Sequence, residues 1–274
     1  MATNRLLPHA IVFGTPKSGT TTLCGALMRH PDIYMYPKKE THFFNDLFTK
    51  RDMSWYKGLF TDAPDGALLM EGTPDYSMSH CVDRTLERIA THIPDVKLIL
   101  MVRNPVDRIE SHYIQMLSNT RTEISIDQAL EKWPEIVETS DYGAIVETLR
   151  QYFSEDQLLV LFLEDYKSDK STVHAQALEF LEVDASRIPL ETVNTQKALH
   201  KREDQGVDCA LLARLRRWKH YDRINMLMPS WIIALGKRTL RSPLKVPTKL
   251  PPATRARLEA EFNPKWAQFQ EEFR

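Results

Sequence analysis

The chain has 274 residues, enough for a sizeable buried core in one large domain or two small ones. Apolar residues make up 42% and charged residues 27%, as in ordinary soluble globular proteins. Lys and Arg (36) nearly balance Asp and Glu (37), so the overall charge gives no argument for nucleic-acid binding. Any basic site must therefore be local.

The three cysteines, Cys24, Cys81 and Cys209, are odd in number and far apart, which excludes a disulfide framework and a zinc-binding spacing. The stretch before Gly14 has too short an apolar run for a signal peptide, and no segment is long and apolar enough to span a bilayer. We therefore expect a cytoplasmic protein without a membrane span. No feature of the sequence predicts its oligomeric state.

Short apolar runs predict strands, and the stretches between them predict helices. Two of the runs, KLILMV and LLVLFL, are apolar throughout, as in strands that are covered on both faces of a parallel sheet. The predicted strands are Ala10–Gly14, Ala67–Glu71, Lys97–Val102 and Leu158–Leu163. The predicted helices are Thr20–Arg29, Ser79–Thr91, Pro105–Leu117, Ile126–Lys132, Tyr142–Phe153 and Thr172–Leu181. This alternation predicts a three-layer α/β fold with a mostly parallel central sheet and flanking helices.

The composition changes after about Gly206, where a basic segment rich in Met and Trp has no obvious strand. Its part Leu211–Leu240 is interpreted as helices that pack on the sheet, an acceptor lid, a membrane-surface contact or a partner face. A proline-rich loop then precedes a final predicted helix, Ala253–Phe262. We expect a single domain over residues 1–274, with an α/β core over 8–200 and a helical C-terminal appendage over 206–274.

The sequence GTPKSGTTT follows the first predicted strand and is typical of a P-loop-like strand–loop–helix. A glycine turn at this place presents backbone N–H groups and the positive end of a helix to an anion. A Walker A loop would continue Gly-Lys-Ser/Thr, whereas Gly19 is followed by Thr20 and Thr21, and Lys17 lies inside the loop. The alternative is a plain turn with a solvated lysine.

A second anion site is predicted at the end of the strand Lys97–Val102. Arg103 follows this strand at its carboxyl end, where open α/β sheets bind ligands. The helix that starts at Pro105 would bring Ser111 to a phosphate held by Arg103, unless Arg103 only pairs with Asp107. Nucleoside triphosphatases have a Mg²⁺-binding aspartate at a strand end, where this chain has an arginine, so we predict no metal site.

Together these motifs resemble the PAPS-dependent sulfotransferases, which use phosphoadenosine phosphosulfate (PAPS) as donor and release the nucleotide PAP. T-P-K-S-G-T-T is similar to the family's phosphosulfate loop, and R-N-P-x-x-R-x-x-S-x-Y is similar to its 3′-phosphate element. The segments KKETHFF, EGTPDY, SDYGAIVETLRQYF and LLVLFLEDY extend the resemblance, in order, over most of residues 8–200. KETHFF is closer to the heparan-sulfate-type and bacterial tailoring branch than to the cytosolic phenol and steroid branch.

The resemblance implies a donor site built from the phosphosulfate loop and the 3′-phosphate element. Tyr142 and the basic residues after Asn194, where the family often closes a loop over the donor, are weaker candidates. The full set of expected donor-binding residues is Thr15, Pro16, Lys17, Ser18, Gly19, Thr20, Thr21, Arg103, Ser111, Tyr142, Lys197, Lys201 and Arg202.

The resemblance also implies that Glu40 is the general base, that His42 orients or shares the acceptor proton, and that Lys17 stabilises the leaving phosphate. Sulfuryl transfer depends on positioning and charge stabilisation at an in-line centre, and a carboxylate opposite a lysine provides both. The alternatives are a solvated turn for Glu40 and a packing role for His42. Glu71 and Asp75 are candidates for the acceptor pocket or for strand-end caps.

Two features depart from the family pattern. The K-G-x-x-G-D-W segment of the cytosolic branch is absent, and Gly72 stands where heparan-sulfate-type relatives carry a lysine in E-K-T-P-x-Y. We therefore predict a metal-independent sulfotransferase that acts on a hydroxyl or amine of a small molecule, a metabolite or natural product. The alternatives are a glycan O-sulfotransferase, a P-loop-type ATP-dependent kinase and a non-catalytic nucleotide-binding module.

Overall fold

A computed structural model describes residues 6–120, 122–187, 207–208, 241–242 and 247–274. Its centre is a sheet of five strands in the order β2-β3-β1-β4-β5, and every neighbouring pair is parallel. The strands are β1 (Ala10–Gly14), β2 (Ile33–Met35), β3 (Leu68–Glu71), β4 (Lys97–Val102) and β5 (Leu158–Phe162). The predicted parallel sheet is confirmed.

Helices connect the strands and follow the last of them. They are α1 (Thr20–Leu27), α2 (Met53–Gly58), α3 (Val82–His92), α4 (Pro105–Thr120), α5 (Ile126–Lys132), α6 (Glu135–Glu138), α7 (Tyr142–Leu149), α8 (Leu163–Ser168), α9 (Lys170–Phe180) and α10 (Pro252–Phe273). A single π-helical turn lies at Phe43–Leu47, and single 3-10 turns lie at Pro74–Ser77, Glu155–Gln157 and Ala185–Arg187. No described helix is apolar enough over a sufficient length to cross a bilayer.

The sheet is the middle of three layers because alternate residues of each strand face opposite sides. In β1, Ile11 and Phe13 belong to the apolar core that includes residues of α3, α7 and α10. Ala10 and Val12 belong to the opposite core, which includes residues of α1 and α9. Every residue of β1 is buried, which explains why its sequence shows no alternation of polar and apolar residues.

The structure differs from the sequence-based prediction at several elements, among them the short helices α2, α6 and α8, which were not predicted. The edge strand β2 was not predicted, because three residues are too few to show a periodicity. The helix expected over Ala253–Phe262 continues to Phe273 through Pro264. The segment after Gly206, which has no obvious strand in its sequence, contains an antiparallel pair of two-residue strands, β6 (Val207–Asp208) and β7 (Arg241–Ser242).

The continuation of α10 past Pro264 has a packing cause. Trp266 and Phe269 are buried against Tyr142 and Phe162, with ring centroids 5.5–6.2 Å apart. A proline inside a helix costs about 3 kcal/mol. Burial of each large apolar side chain returns about 1.5–3 kcal/mol, so two of them offset the proline.

That the chain forms one domain stays a prediction.

The strand order determines where a ligand can bind. The chain passes from β1 to the edge strand β2, returns to β3 on one side of β1, and then crosses to β4 on the other side. Such a change of direction leaves a crevice at the carboxyl ends of the central strands. The segments that begin at Thr15, Gly72 and Arg103 all start at this edge of the sheet.

Gly14, the last residue of β1, touches the turn that follows β3. A Cβ at this position would lie 2.2 Å from Ser77 Oγ and 2.5 Å from Ser77 Cβ. We expect Gly14→Ala to lower the free energy of unfolding, measured in urea, by about 1–3 kcal/mol because the turn must move. Gly58→Ala is the matched control, since its added Cβ would meet nothing within 4 Å. An equal stability for the two variants would contradict this packing.

Candidate active site

The loop between β1 and α1 is braced from inside by its own polar groups. The Thr15 hydroxyl lies 2.7 Å from Ser18 Oγ and donates to Met101 O at 3.0 Å, while the Thr15 amide donates to the same carbonyl at 2.8 Å. Both side chains are fully buried. Thr15 and Ser18 therefore shape the loop, and their hydroxyls are engaged within it.

The open part of the loop is the start of α1. Gly19 has φ +90°, a conformation that glycine adopts without strain, and Thr22 is the first residue whose amide bonds back into this turn, to Gly19 O at 2.9 Å. The amides of Gly19, Thr20 and Thr21 thus lie at the helix N-terminus, where an anion can accept hydrogen bonds from them. The structure thus has the strand–loop–helix at these residues, and that they bind the donor stays a prediction.

Two arginines hold the outer part of the loop through its carbonyl groups. Arg103 Nη1 donates to Lys17 O at 3.2 Å, and Arg108 Nη1 donates to Pro16 O at 3.3 Å. Arg103 also lies 3.9 Å from Asp107, so the ion pair that the sequence offered as an alternative exists only at long range. The buried Nε of Arg103 has no hydrogen-bond partner among the described residues, and it fits an anionic ligand.

Arg108 is a site residue that the sequence analysis missed. Its side chain is fully buried, and it donates from Nε to Ser140 Oγ at 2.6 Å and from Nη2 to Ile136 O. Burial, and to a smaller extent the charge of Arg103, lower the pKa of Arg108 to about 10, against the opposite effect of Tyr142. The signal in the sequence is the second arginine of R-N-P-x-x-R, four residues before His112, whose Nδ1 lies 3.3 Å from Arg108 Nη1.

Lys17 completes the group of cations. Its backbone has φ +72°, and its pKa is lowered first by burial and then by the charges of Arg103 and Arg108. The pKa of the buried His112 is likewise lowered well below its usual value by burial and by Arg108 and Lys17. An anion bound at this place would relieve the repulsion among these groups.

The other donor-site candidates have different positions. Ser111 lies two turns after Arg103, on α4, and is 9% exposed. Tyr142 is buried behind the site, where its hydroxyl donates to Arg103 O at 2.8 Å, so it positions Arg103 from the side of the core. Lys197, Lys201 and Arg202 lie outside the described residues, as do Cys209 and the segment Leu211–Leu240.

Glu40 and His42, the two residues for which the resemblance implies roles at the acceptor, contact each other. Glu40 Oε2 is 3.3 Å from His42 Nε2, and Glu40 Oε1 is 2.8 Å from Lys39 Nζ. Burial raises the pKa of Glu40, but the hydrogen bonds and charges of His42 and Lys39 outweigh it and lower the pKa to about 2. The hydrogen bond to Glu40 raises the pKa of His42, against its burial, and Asp75 Oδ2, 4.0 Å from His42 Nδ1, contributes. Glu40 is therefore held as a carboxylate.

A buried carboxylate fixes the segment that carries Glu40. Glu71, the last residue of β3, is fully buried and accepts four hydroxyl hydrogen bonds. The donors are Thr41 Oγ1 at 2.8 Å, Tyr56 OH at 2.7 Å, Thr73 Oγ1 at 2.6 Å and Tyr76 OH at 3.0 Å. Burial raises the pKa of Glu71, which these hydrogen bonds oppose. Glu71, which the sequence analysis names as a candidate for the acceptor pocket or for a strand-end cap, thus lies behind Glu40 and fixes the segment that carries it.

The family assignment follows from comparison with known proteins. The family model "Sulfotransferase domain" matches residues 7–217. The chain belongs to the sulfotransferase family. The resemblance found in the sequence motifs is thereby confirmed, and so is the prediction that the protein is an enzyme of this family.

Curated relatives include enzymes named for heparan sulfate. The chain is 40% identical over 116 residues to mouse heparan sulfate glucosamine 3-O-sulfotransferase 6, covering 42% of this chain and 32% of that one. It is 30% identical over 216 residues to human heparan sulfate glucosamine 3-O-sulfotransferase 3B1, covering 75% and 52% of the two chains. The chain thus spans about a third to a half of the length of these relatives.

A solved structure supports the fold. A sulfotransferase from Alicyclobacillus acidocaldarius aligns with a TM-score of 0.60 and 29% identity over 70% of this chain and 87% of that one. The α/β fold predicted from the sequence is thereby confirmed as a sulfotransferase fold.

The comparisons correct the predicted location. The cytoplasmic location expected from the sequence is contradicted by the relatives, of which one is named membrane-associated sulfotransferase kil1, from Dictyostelium discoideum. It is 35% identical over 146 residues, which is 50% of this chain and 30% of that one. The expectation was wrong because it rested only on the absence of recognisable targeting segments in the sequence.

The pKa of Glu40 leads to a prediction about acid stability. The folded pKa of about 2 lies below the ordinary value of 4.5, so ionised Glu40 stabilises the fold above pH 4.5 and this contribution is lost as the pH falls towards 2. We expect Glu40→Gln to lower the urea midpoint at pH 7 more than at pH 3. The exposed Glu147→Gln on α7 is the control. A pH dependence identical to that of the wild type would contradict the ionic contacts of Glu40.

Proposed function

We propose that the protein transfers the sulfuryl group of PAPS to a hydroxyl group of a saccharide. The observation that carries the proposal is the chain of contacts from the carboxylate of Glu40 through Lys39 to the phosphate-binding loop. Lys39 Nζ is 2.8 Å from Glu40 Oε1 and 3.3 Å from Thr20 Oγ1. The ammonium group of Lys39 thus bridges the proposed general base and the proposed anion site, a proximity that suits transfer of a small group between them.

The donor side rests on the cations of the loop. The amides of Gly19, Thr20 and Thr21 and the ammonium of Lys17 would hold the 5′-phosphosulfate of PAPS, and Arg103 would hold the 3′-phosphate together with Ser111. The free Nε of Arg103 and the repulsion between Lys17, Arg103 and Arg108 favour a ligand with more than one negative charge. Arg108 and Tyr142 would position this set from behind.

The transfer step uses Glu40 and Lys17 on opposite sides. The acceptor oxygen forms a bond to sulfur while the bond between sulfur and the phosphate oxygen breaks, and the electron pair goes to that phosphate oxygen. The acceptor proton passes to Glu40, and Lys17 with the loop amides stabilises the charge on the leaving phosphate. His42, in contact with Glu40 Oε2, would orient the carboxylate.

The choice of a saccharide rests on the relatives named for heparan sulfate glucosamine 3-O-sulfotransfer. The small-molecule acceptor preferred from the sequence has no counterpart among these names. An acceptor screen with PAPS and mass detection tests the choice. A gain of one sulfuryl group on a glucosamine-containing oligosaccharide supports it, and modification of phenols or amines alone would reject it.

Glu40→Gln tests the base. We expect turnover to fall by at least about 100-fold, the usual contribution of a general base, because the amide cannot accept the proton. The affinity for PAP, measured by calorimetry, should stay within about twofold of the wild type because Glu40 faces the acceptor. Glu147→Gln is the control for both measurements. Unchanged turnover in Glu40→Gln would remove Glu40 from the mechanism.

Arg103→Ala tests the 3′-phosphate site. We expect the affinity for PAP to fall by about 10- to 100-fold, since a charge-assisted hydrogen bond contributes about 1.5–3 kcal/mol. Arg187→Ala is the control, because Arg187 pairs with Asp32 at the start of β2, at the opposite end of the sheet. A wild-type affinity for PAP in Arg103→Ala would refute this role.

A further inference from the structure

Lys39 lies between the two halves of the candidate active site. Its ammonium group contacts Glu40 Oε1 at 2.8 Å, Thr20 Oγ1 at 3.3 Å and Thr21 Oγ1 at 3.4 Å. Its side chain is only 12% exposed, so these contacts are made largely away from solvent. A surface ion pair would not need the two loop hydroxyls, which belong to the first turn of α1.

The backbone holds Lys39 in this position at a cost. Lys39 has φ +66°, a left-handed conformation that costs a non-glycine residue about 1–2 kcal/mol. Two hydrogen bonds fix it there: its amide donates to Tyr36 O at 2.7 Å, and its carbonyl accepts from Gly72 N at 2.9 Å. The residue is thus tied to the carboxyl ends of both β2 and β3.

Gly72 leaves the space that the Lys39 side chain occupies. A Cβ at position 72 would lie 3.3 Å from both Cγ and Cε of Lys39, and 2.6 Å from Cys24 Sγ. Gly72 stands where the motif of heparan-sulfate-type relatives has a lysine. In this chain the ammonium group beside the loop comes instead from the neighbouring segment, by way of Lys39.

We propose that Lys39 Nζ binds a non-bridging oxygen of the sulfuryl group during its transfer, an inference that rests on the proposed function. An in-line transfer places the sulfur between the acceptor, next to Glu40, and the leaving phosphate, next to the loop. The ammonium group of Lys39 contacts both Glu40, on the acceptor side, and Thr20 of the loop, on the phosphate side. The ammonium keeps its three protons throughout, while the acceptor proton passes to Glu40 and the electron pair of the broken bond stays on the phosphate. The shift of Lys39 towards the sulfuryl group releases Glu40 Oε1 for that proton.

The difference between PAPS and PAP gives a sharp test, because PAP lacks the sulfuryl group. We expect Lys39→Met to weaken PAPS binding, measured by calorimetry without acceptor, by about 10- to 100-fold, as for a lost charged hydrogen bond. The affinity for PAP should stay within about twofold, and kcat should fall by at least the same factor as PAPS affinity. Lys38→Met, the adjacent exposed lysine, is the control and should match the wild type in all three.

The remaining outcomes overturn the inference. If Lys39→Met loses PAP and PAPS affinity equally at an unchanged melting temperature, Lys39 acts on the nucleotide and not on the sulfuryl group. If it keeps PAPS affinity and kcat, Lys39 is only structural. Should Lys39→Met fold poorly, Lys39→Gln, which keeps a neutral hydrogen-bonding group, carries the same expectations. A wild type that binds neither nucleotide refutes the proposed function itself. If the wild type binds both nucleotides, the results for Lys39→Met test the role of Lys39 alone.

Discussion

The site depends on three cations that are kept close together although they repel one another. Lys17, Arg103 and Arg108 meet where β1 and β4 end. The charge of Arg103 lowers the pKa of both other groups, and the charge of Arg108 lowers the pKa of Lys17. The arginines are held by carbonyl groups of Pro16 and Lys17, which neutralise no charge. Carbonyl groups can position a cation without cancelling its field, so the loop keeps its attraction for an anion. The five-stranded sheet supplies the rigid frame that makes this arrangement possible.

A second buried charged group, Glu71, positions the segment that carries Glu40. The carboxylate of Glu71 is taken from water but receives four hydroxyl groups, which is the condition under which a buried carboxylate is tolerated. One of these hydroxyls belongs to Thr41, the residue between Glu40 and His42. The end of β3 thereby determines where the carboxylate of Glu40 stands relative to the loop. The site thus combines cations that follow β1 and β4 with a carboxylate held against the end of β3.

The contrast with a Walker A loop has a physical explanation in this arrangement. A loop that ends in Gly-Lys-Ser/Thr directs its lysine and a hydroxyl to a nucleotide and its Mg²⁺. In this chain Thr20 and Thr21 occupy the first turn, and their hydroxyls face the ammonium group of Lys39. A lysine from another segment thus reaches the position that the loop leaves open. This contact joins residues 19 positions apart and has no signature in the loop itself.

The sequence by itself determined the parallel sheet, the strand–loop–helix with its glycine turn, the arginine at the end of β4 and the proximity of Glu40 and His42. Each of these follows from local order: apolar runs become buried strands, glycine turns begin helices, and residues two apart on one segment stay close. Only the tertiary structure decided which polar groups are engaged in hydrogen bonds within the protein. Thr15 and Ser18 bond to each other, Tyr142 supports Arg103 from the core, and Arg108 reaches a carbonyl 92 residues away. Such contacts depend on how distant segments pack, to within fractions of an ångström, and the order of residues along the chain does not contain that information.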